Sequence, residues 1–173
     1  MKHLRFTALI ILAAWLVLPS DGQARSPWIE RIREQAADRR ANDPQPNAPV
    51  ELSYGKDPLQ KLDYWKPEKK GAPLVVFVHG GGWKRGDKRD AAGQKAEHFH
   101  GKGYAFASIN YRLVPACTVE QQAQDVAAAL AFLTKKADSL GFDMNRIVLR
   151  GHSDGAHLSA LVGTDMSYLK NAG

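Results

Sequence analysis

Cysteine is almost absent from this chain of 173 residues, since Cys117 is the single one. An internal disulfide is therefore excluded, and the fold must be held by packing alone. We expect Cys117 to be a small buried or half-buried apolar side chain rather than a reactive thiol. Long apolar runs are also scarce: the stretch 6–18 is shorter than the about 20 residues that a membrane-spanning helix needs.

The N-terminal segment has the organisation of an export signal. Lys2 and Arg5 supply positive charge, the apolar stretch follows, and small residues lead up to Ala24. We expect cleavage after Ala24, which gives a signal peptide over residues 1–24 and a secreted or periplasmic mature chain. An uncleaved membrane anchor is the alternative, but the stretch is too short for it, so no stable membrane insertion is expected.

The net charge of +6 is not organised for binding nucleic acid. Several of the positive charges form one cluster, which is typical of the solvated face of a helix: Arg31, Arg33, Arg39 and Arg40. Aromatic residues do not interleave with these charges and no nucleic-acid-binding module is present, so we expect no nucleic-acid partner. Oligomeric state has no signature in the sequence.

Two segments precede the main domain. Helical spacing of Trp28, Ile32 and Ala36, followed by a loop rich in Pro and Asn, predicts a short amphipathic helix and a linker over residues 25–49. The compact domain is predicted to occupy residues 50–173.

Apolar runs and helical patterns alternate in the main domain. Strands are predicted at 62–66, 74–79, 104–110 and 147–150, and helices at 91–100 and 119–137, with Gly141 as a stop. The last three strands are near-continuous apolar runs, which is the pattern of strands covered on both faces. An α/β fold is therefore predicted, with a mostly parallel sheet and helices on both faces.

The pentapeptide GHSDG at residues 151–155 lies between the last predicted strand and a helical stretch. A strand, a G-x-S-x-G turn and a helix form the context of a nucleophile elbow. In such a turn the flanking glycines let the backbone pass closely, and the serine, here Ser153, stands proud of the sheet. The pentapeptide alone is weak support, because Gly and Ser are common.

A second glycine motif, HGGGW, directly follows the strand predicted at 74–79. Successive glycines let backbone N–H groups turn inward together, as is required to stabilise the oxyanion of a tetrahedral intermediate. A dinucleotide fingerprint fails because Arg85 stands where a third glycine is needed, and a phosphate loop fails at Asp87 and Lys88. A simple tight turn remains the alternative explanation.

These motifs together resemble the α/β-hydrolase superfamily, in its HGGGW-type esterase and lipase branch. Residues 50–170 are most similar to the feruloyl-esterase-like and kynurenine-formamidase-like members. The resemblance implies an α/β-hydrolase fold and hydrolysis of carboxylic esters, or less often amides, in small-molecule substrates, with no cofactor and no metal. It also implies residue roles: Ser153 as the nucleophile, the backbone N–H groups of Gly80, Gly81 and Asp154 as the oxyanion hole, and His79, Gly82 and Trp83 as supports of the glycine loop.

Asp154 departs from the family pattern, in which a small residue usually follows the serine. A carboxylate beside a developing anion weakens the anion's stabilisation through charge, and we expect solvent exposure to screen this effect.

The acid and histidine of a catalytic triad follow the serine in this family, and here the candidates are Asp154, Asp165 and His157. His157 lies on the same helix as the serine and is a poor base for it. Upstream, His98 and His100 are expected near the surface or in local polar contacts, and a metal pair there lacks a third ligand.

We therefore expect an exported serine hydrolase that acts through an acyl-enzyme at Ser153, with residues 50–173 as the front part of a longer domain, truncated after the elbow helix. Two alternatives stay open: a catalytically inactive truncated α/β-hydrolase, and a hydrolase completed by another chain. In the chain as given, the sheet is expected to stop after the elbow strand, which then forms an exposed edge.

Overall fold

The computed structural model describes Arg31, residues 48–90 and residues 92–173. The predicted signal peptide lies outside these residues, as does most of the predicted linker. Arg31 is the described residue of the predicted N-terminal helix, and it is helical and exposed. The chain divides into two compact units, Met1–Asp43 and Pro44–Gly173, of which the second contains the sheet and its helices.

Five strands and five helices make up the described part of the second unit. The strands are β1 (Val50–Ser53), β2 (Lys61–Trp65), β3 (Ala72–Val78), β4 (Ala105–Ile109) and β5 (Phe142–Gly151), and the helices are α1 (Ala92–His100), α2 (Val119–Lys135), α3 (Ala137–Leu140), α4 (Asp154–Thr164) and α5 (Ser167–Ala172). The four predicted strands are confirmed, as are the helices predicted at 91–100, at 119–137 and after the GHSDG pentapeptide. β5 begins well before residue 147, and the second predicted helix is interrupted at Lys136, so that Gly141 ends the short α3 and not α2. The sequence did not predict β1 or α5.

The strands form one mixed sheet in the order β1-β2-β4-β3-β5. β3 runs parallel to both of its neighbours, and Val76 lies opposite Ala107 of β4 and Leu149 of β5. β2 is antiparallel to β4 and to β1. The parallel arrangement is thus confined to β4, β3 and β5, and the carboxyl ends of parallel strands are where α/β folds place their sites.

Helices cover the central strands on both faces, as predicted. On one face, Leu74, Val76 and Val78 of β3 join a large core cluster with side chains of α2 and α4. On the other, Val75 and Phe77 join a smaller cluster with α1. Both faces of β3 are therefore apolar, which explains its continuous apolar sequence.

β5 lies at the edge of the described sheet and pairs with β3 alone. Its Met144 is 54% exposed and its Val148 53% exposed. The sequence predicted that the apolar run 147–150 is covered on both faces. This is wrong for the described part of the chain, because alternate residues of this strand are exposed and no described helix covers them. The expectation that the elbow strand forms an edge is met in the described sheet.

An ion-pair network fixes the segment between the glycine loop and α1 to the sheet. Lys88 Nζ lies 2.8 Å from Asp63 Oδ1 and 3.0 Å from Glu51 Oε2, and the Lys88 and Asp63 side chains are buried. Lys61 Nζ also lies 2.9 Å from Glu51 Oε1, and both of these side chains are partly exposed. The network holds β1 and β2 to the loop that follows β3.

A second ion pair joins the loop after β4 to α2. Arg112 donates through Nε and Nη2 to the two carboxylate oxygens of Asp125, at 2.8 and 2.7 Å, and Gln60 Nε2 donates to the same carboxylate at 2.8 Å. The Asp125 side chain is 2% exposed. Thr118 and Gln121 begin α2 with a reciprocal capping box, so the position of this helix is set both at its start and at Asp125.

Candidate active site

Ser153 occupies the turn between β5 and α4 in a backbone conformation that L-residues rarely adopt. Its φ is 53° and its ψ is −123°, and among the described non-glycine residues only Trp83 shares a positive φ. β5 ends at Gly151 and α4 begins at Asp154, so strand, strained serine and helix follow one another directly. Such strain persists where the surrounding packing imposes it, and it is concentrated at functional sites.

The two glycines that flank Ser153 are required by close approach of backbone segments. A Cβ on Gly151 would lie 2.2 Å from the carbonyl of Gly155, and a Cβ on Gly155 would lie 2.3 Å from the His79 carbonyl oxygen. The end of β5, the start of α4 and the end of β3 are therefore packed backbone to backbone around the serine.

The glycine loop lies directly against Ser153. A Cβ on Gly80 would come within 3.0 Å of the Ser153 Cβ. Gly81 and Gly82 have φ values of 150° and 67°, and Trp83 follows with a φ of 62°. The motifs predicted to act together, separated by about seventy residues in the sequence, thus share one site.

His79 and Trp83 support the glycine loop through their own contacts. The His79 ring stacks on Tyr111, with 4.5 Å between ring centroids. The Trp83 carbonyl accepts hydrogen bonds from Gln122 Nε2 at 2.8 Å and from the Val114 N–H at 2.9 Å. The loop is thereby held between the segment after β4 and helix α2.

The Asp154 carboxylate is buried beneath the loop, with the residue 4% exposed. Its Oδ1 accepts the N–H groups of Gly81 at 2.7 Å and Gly82 at 2.8 Å, and its Oδ2 accepts the Trp83 N–H at 3.0 Å. The Tyr111 hydroxyl lies 3.0 Å from Oδ2 and 2.9 Å from the His79 carbonyl oxygen. The expectation that solvent screens this carboxylate is therefore wrong, because the side chain turns inward where four donors surround it.

These donors also set the charge state of Asp154. Burial by itself raises the pKa of a carboxyl group, but the N–H groups of Trp83, Gly82 and Gly81 and the Tyr111 hydroxyl outweigh it, so the pKa of Asp154 is lowered. At neutral pH the glycine loop therefore encloses a negative charge.

The three predicted oxyanion donors are not equivalent in this arrangement. The N–H groups of Gly80 and Asp154 make no hydrogen bond to any described residue, whereas the Gly81 N–H is engaged by the Asp154 carboxylate. For Gly81 to act as an oxyanion donor, that bond must first be replaced.

No described residue forms a hydrogen bond with the Ser153 hydroxyl. His157 lies one turn further along α4, where its ring makes a T-shaped contact with the Trp83 ring at 5.8 Å between centroids. Asp165 follows the end of α4, and its carboxylate accepts the Ser167 N–H at 2.9 Å. Neither side chain is placed as the base or the acid of a triad.

The other residues singled out in the sequence, His98, His100 and Cys117, have contacts that do not involve Ser153. The Nε2 atom of His100 is 3.1 Å from the Lys66 carbonyl oxygen, and the His98 ring makes a T-shaped contact with the Phe99 ring. Cys117 is buried and free, as predicted, and burial raises the pKa of its thiol. Within residues 48–90 and 92–173, no three His, Cys, Asp or Glu side chains are grouped to hold a metal ion, and no helix has the length and apolarity to cross a membrane.

A serine elbow after a parallel strand, packed against a glycine loop after the neighbouring parallel strand, defines the α/β-hydrolase class, and the solved structures that match the chain have this fold. The family model described as BD-FAE matches residues 62–171, which is more than half of the chain. The chain belongs to the BD-FAE family.

Individual relatives are esterases by name. Esterase LipC of Mycobacterium tuberculosis is 36% identical over 113 residues, which are 64% of this chain and 28% of LipC. The thermophilic esterase Est2 of Thermogutta terrifontis matches with a TM-score of 0.61 and 27% identity over 69% of this chain and 45% of that one, and a form of it phosphorylated by paraoxon also matches at 0.61. A putative thioesterase from Silicibacter sp. TM1040 matches with a TM-score of 0.64 and 33% identity over 83% of this chain and 51% of its own. The chain thus spans about a quarter of LipC and about half of the two solved proteins.

Proposed function

We propose that this chain carries the nucleophile and the oxyanion loop of an exported serine hydrolase that cleaves carboxylic esters of small molecules. The observation that carries the proposal is the contact between Gly80 and Ser153, which places a strained serine beside a loop of backbone N–H groups. The esterase names of the relatives support the ester as the substrate class.

The reaction follows from this geometry. Ser153 Oγ bonds to the ester carbonyl carbon while the carbonyl π electrons move onto oxygen, and the serine proton passes to a general base. The unengaged N–H groups of Gly80 and Asp154 stabilise the oxyanion. The intermediate then expels the alcohol, which takes up the proton, and leaves an acyl-enzyme that water hydrolyses by the same steps.

We assign the general base and its acid to polypeptide outside the described residues. The support is geometric, since His157 and Asp165 both have other contacts and neither reaches the serine. The partial coverage of LipC and Est2 by this chain is consistent with that assignment.

Export is part of the proposal and rests on residues 1–24 of the sequence. N-terminal sequencing of the protein recovered outside the cytoplasmic membrane tests it. We expect the mature chain to begin at Arg25, and recovery of the intact N-terminus there would contradict cleavage.

Turnover of a short-chain aryl ester such as p-nitrophenyl acetate tests the hydrolase function, in protein that includes the polypeptide to which the general base and its acid are assigned. We expect release of p-nitrophenol above the uncatalysed rate, and its loss in Ser153→Ala. Ser159→Ala is the matched control, because the Ser159 hydroxyl donates to the Gly155 carbonyl within the same helix and does not face the loop. Absence of turnover at every pH, or equal turnover in Ser153→Ala, would overturn the proposal.

A catalytically inactive α/β-hydrolase is the second candidate. The observation that favours it is the engagement of the Gly81 and Gly82 N–H groups by a buried carboxylate of the same chain. The absence of turnover described above would favour this candidate.

A further inference from the structure

Three consecutive N–H groups of the glycine loop converge on one carboxylate. Those of Gly81 and Gly82 both point at Asp154 Oδ1, and that of Trp83 points at Oδ2. Two adjacent backbone N–H groups directed at a single negatively charged oxygen form the arrangement that stabilises an oxyanion. In this chain the oxygen in that position belongs to the protein itself.

The engaged donors belong to the loop that contacts the candidate nucleophile. Gly80, which packs on Ser153, is followed directly by the two engaged glycines. We propose that the Asp154 carboxylate is an internal anion that occupies the N–H groups of Gly81 and Gly82, and that it thereby limits the reactivity of Ser153.

The contacts of Asp154 explain why the internal anion stays in place. Both oxygens are hydrogen-bonded, the side chain is buried, and the Tyr111 hydroxyl is within 3.0 Å of Oδ2. Hydrogen bonds to a charged acceptor are stronger than those between neutral groups. A substrate carbonyl, which is neutral before attack, is the weaker competitor for the same donors.

The carboxylate acts on the reaction in two ways. It removes two donors from the set that could bind a developing oxyanion, and its fixed negative charge repels that oxyanion at short range in a buried setting. Substituting Asp154 by an uncharged small residue removes both effects. The effect on reactivity rests on the function proposed above for Ser153, whereas the occupancy of the loop does not.

Whether the Asp154 carboxylate occupies the N–H groups of the glycine loop is tested by amide NMR on the whole chain, with acetate as the probe. In the wild-type protein we expect acetate to leave the amide signals of Gly81, Gly82 and Trp83 unmoved, because the internal carboxylate already holds them. In Asp154→Ala we expect the same three signals to shift and saturate. Wild-type signals that move with acetate, or signals of folded Asp154→Ala that do not, would overturn the proposal.

Asp154→Asn covers the case in which Asp154→Ala does not fold, because the amide keeps an acceptor oxygen and loses the charge. We expect the amide protons of Gly81 and Gly82 to resonate further downfield in the wild type than in Asp154→Asn, since the charged acceptor forms the stronger bonds. Equal shifts would show that the carboxylate does not hold these groups.

Reactivity is tested by the rate at which paraoxon phosphorylates Ser153, followed by mass spectrometry, in protein that includes the polypeptide to which the general base and its acid are assigned. We expect Asp154→Ala to react about tenfold faster or more, because two donors are freed and a charge is removed. Asp165→Ala, which removes a carboxylate at the other end of the same helix, is the matched control and should react at the wild-type rate. An unchanged or lower rate in Asp154→Ala would overturn the limiting role. If Ser153 reacts in no variant, the hydrolase function fails and the limiting role fails with it, while the acetate titration still decides occupancy.

Discussion

Gly155 packs directly on the backbone of His79, so closely that a Cβ on Gly155 would lie 2.3 Å from the His79 carbonyl oxygen. Gly155 is the last residue of the serine pentapeptide and His79 is the first residue of the glycine motif. Helix α4 therefore starts in contact with the end of β3, and the two motifs form one packed unit. The position of Ser153 relative to the loop depends on this contact.

Gly155→Ala is expected to destabilise the protein by about 3 kcal/mol, because the added methyl group overlaps backbone that cannot move without displacing β3. Chemical denaturation measures the free energy of unfolding. Gly163→Ala in the same helix is the control, since a Cβ there meets nothing within 4 Å, and alanine should stabilise the helix by up to about 1 kcal/mol. Similar effects of the two substitutions would contradict the close packing.

Asp125→Ala is expected to cost about 3 kcal/mol of stability, because it leaves the Arg112 guanidinium without its buried partner. The comparison is Asp143→Ala, which breaks the exposed pair with Arg146 and should change stability by less than about 1 kcal/mol. Urea denaturation of both variants measures the difference. A smaller cost for Asp125→Ala than for Asp143→Ala would show that burial does not decide the strength of these pairs.

Tyr111→Phe is expected to destabilise the protein by about 2 kcal/mol, because the hydroxyl lies between the charged Asp154 carboxylate and the His79 carbonyl. Tyr64→Phe removes a hydroxyl that donates to the neutral Leu140 carbonyl at 3.0 Å, and should cost about 1 kcal/mol. Thermal unfolding compares the two variants. Equal costs would indicate that the charge of Asp154 adds nothing at this position.

The pH dependence of stability should reflect the lowered pKa of Glu51. Hydrogen bonds from Lys61 and Lys88 lower the pKa of Glu51 from its ordinary 4.5 to about 2. The contribution of Glu51 to the free energy of unfolding is therefore complete above pH 4.5, because the carboxylate is then ionised in both the folded and the unfolded state. As the pH falls from 4.5 to 2 the unfolded chain takes up the proton first, so this contribution is lost.

Glu51→Gln removes the proton uptake that causes this loss, so its stability is expected to fall less steeply than that of the wild type between pH 4.5 and 2. Denaturation curves at successive pH values provide the slopes. Glu97→Gln, at an exposed position of α1 that makes no ion pair with a described residue, should keep the wild-type slope. Identical slopes for wild type and Glu51→Gln would contradict the lowered pKa.

The central elements of the fold were predictable because their sequences are nearly unambiguous. β3 and β4 are buried on both faces and read as continuous apolar runs, and α2 carries an apolar face that ends near a glycine stop. β1 was missed because it is short and mostly exposed and is held by pairing with β2 and by Glu51. α5 was missed because the packing of Tyr168 and Leu169 on the core, which has no local signature, supports it.

The site was predictable to the extent that it depends on local motifs. The serine turn and the glycine loop each have a sequence pattern with a mechanical reason, so their proximity could be inferred before the structure was known. The inward turn of Asp154 could not be inferred, because the backbone N–H groups that donate to its carboxylate lie about seventy positions earlier in the chain. The departure of Asp154 from a small residue was the signal that pointed to it.

The identity of the nucleophile is tested most directly by mapping the paraoxon adduct on the protein by peptide mass spectrometry. A single phosphorylated peptide is expected, modified at Ser153, with the adduct absent in Ser153→Ala and retained in Ser159→Ala. An adduct at another residue, or modification of Ser153→Ala to the wild-type extent, would contradict the assignment of Ser153 as the nucleophile.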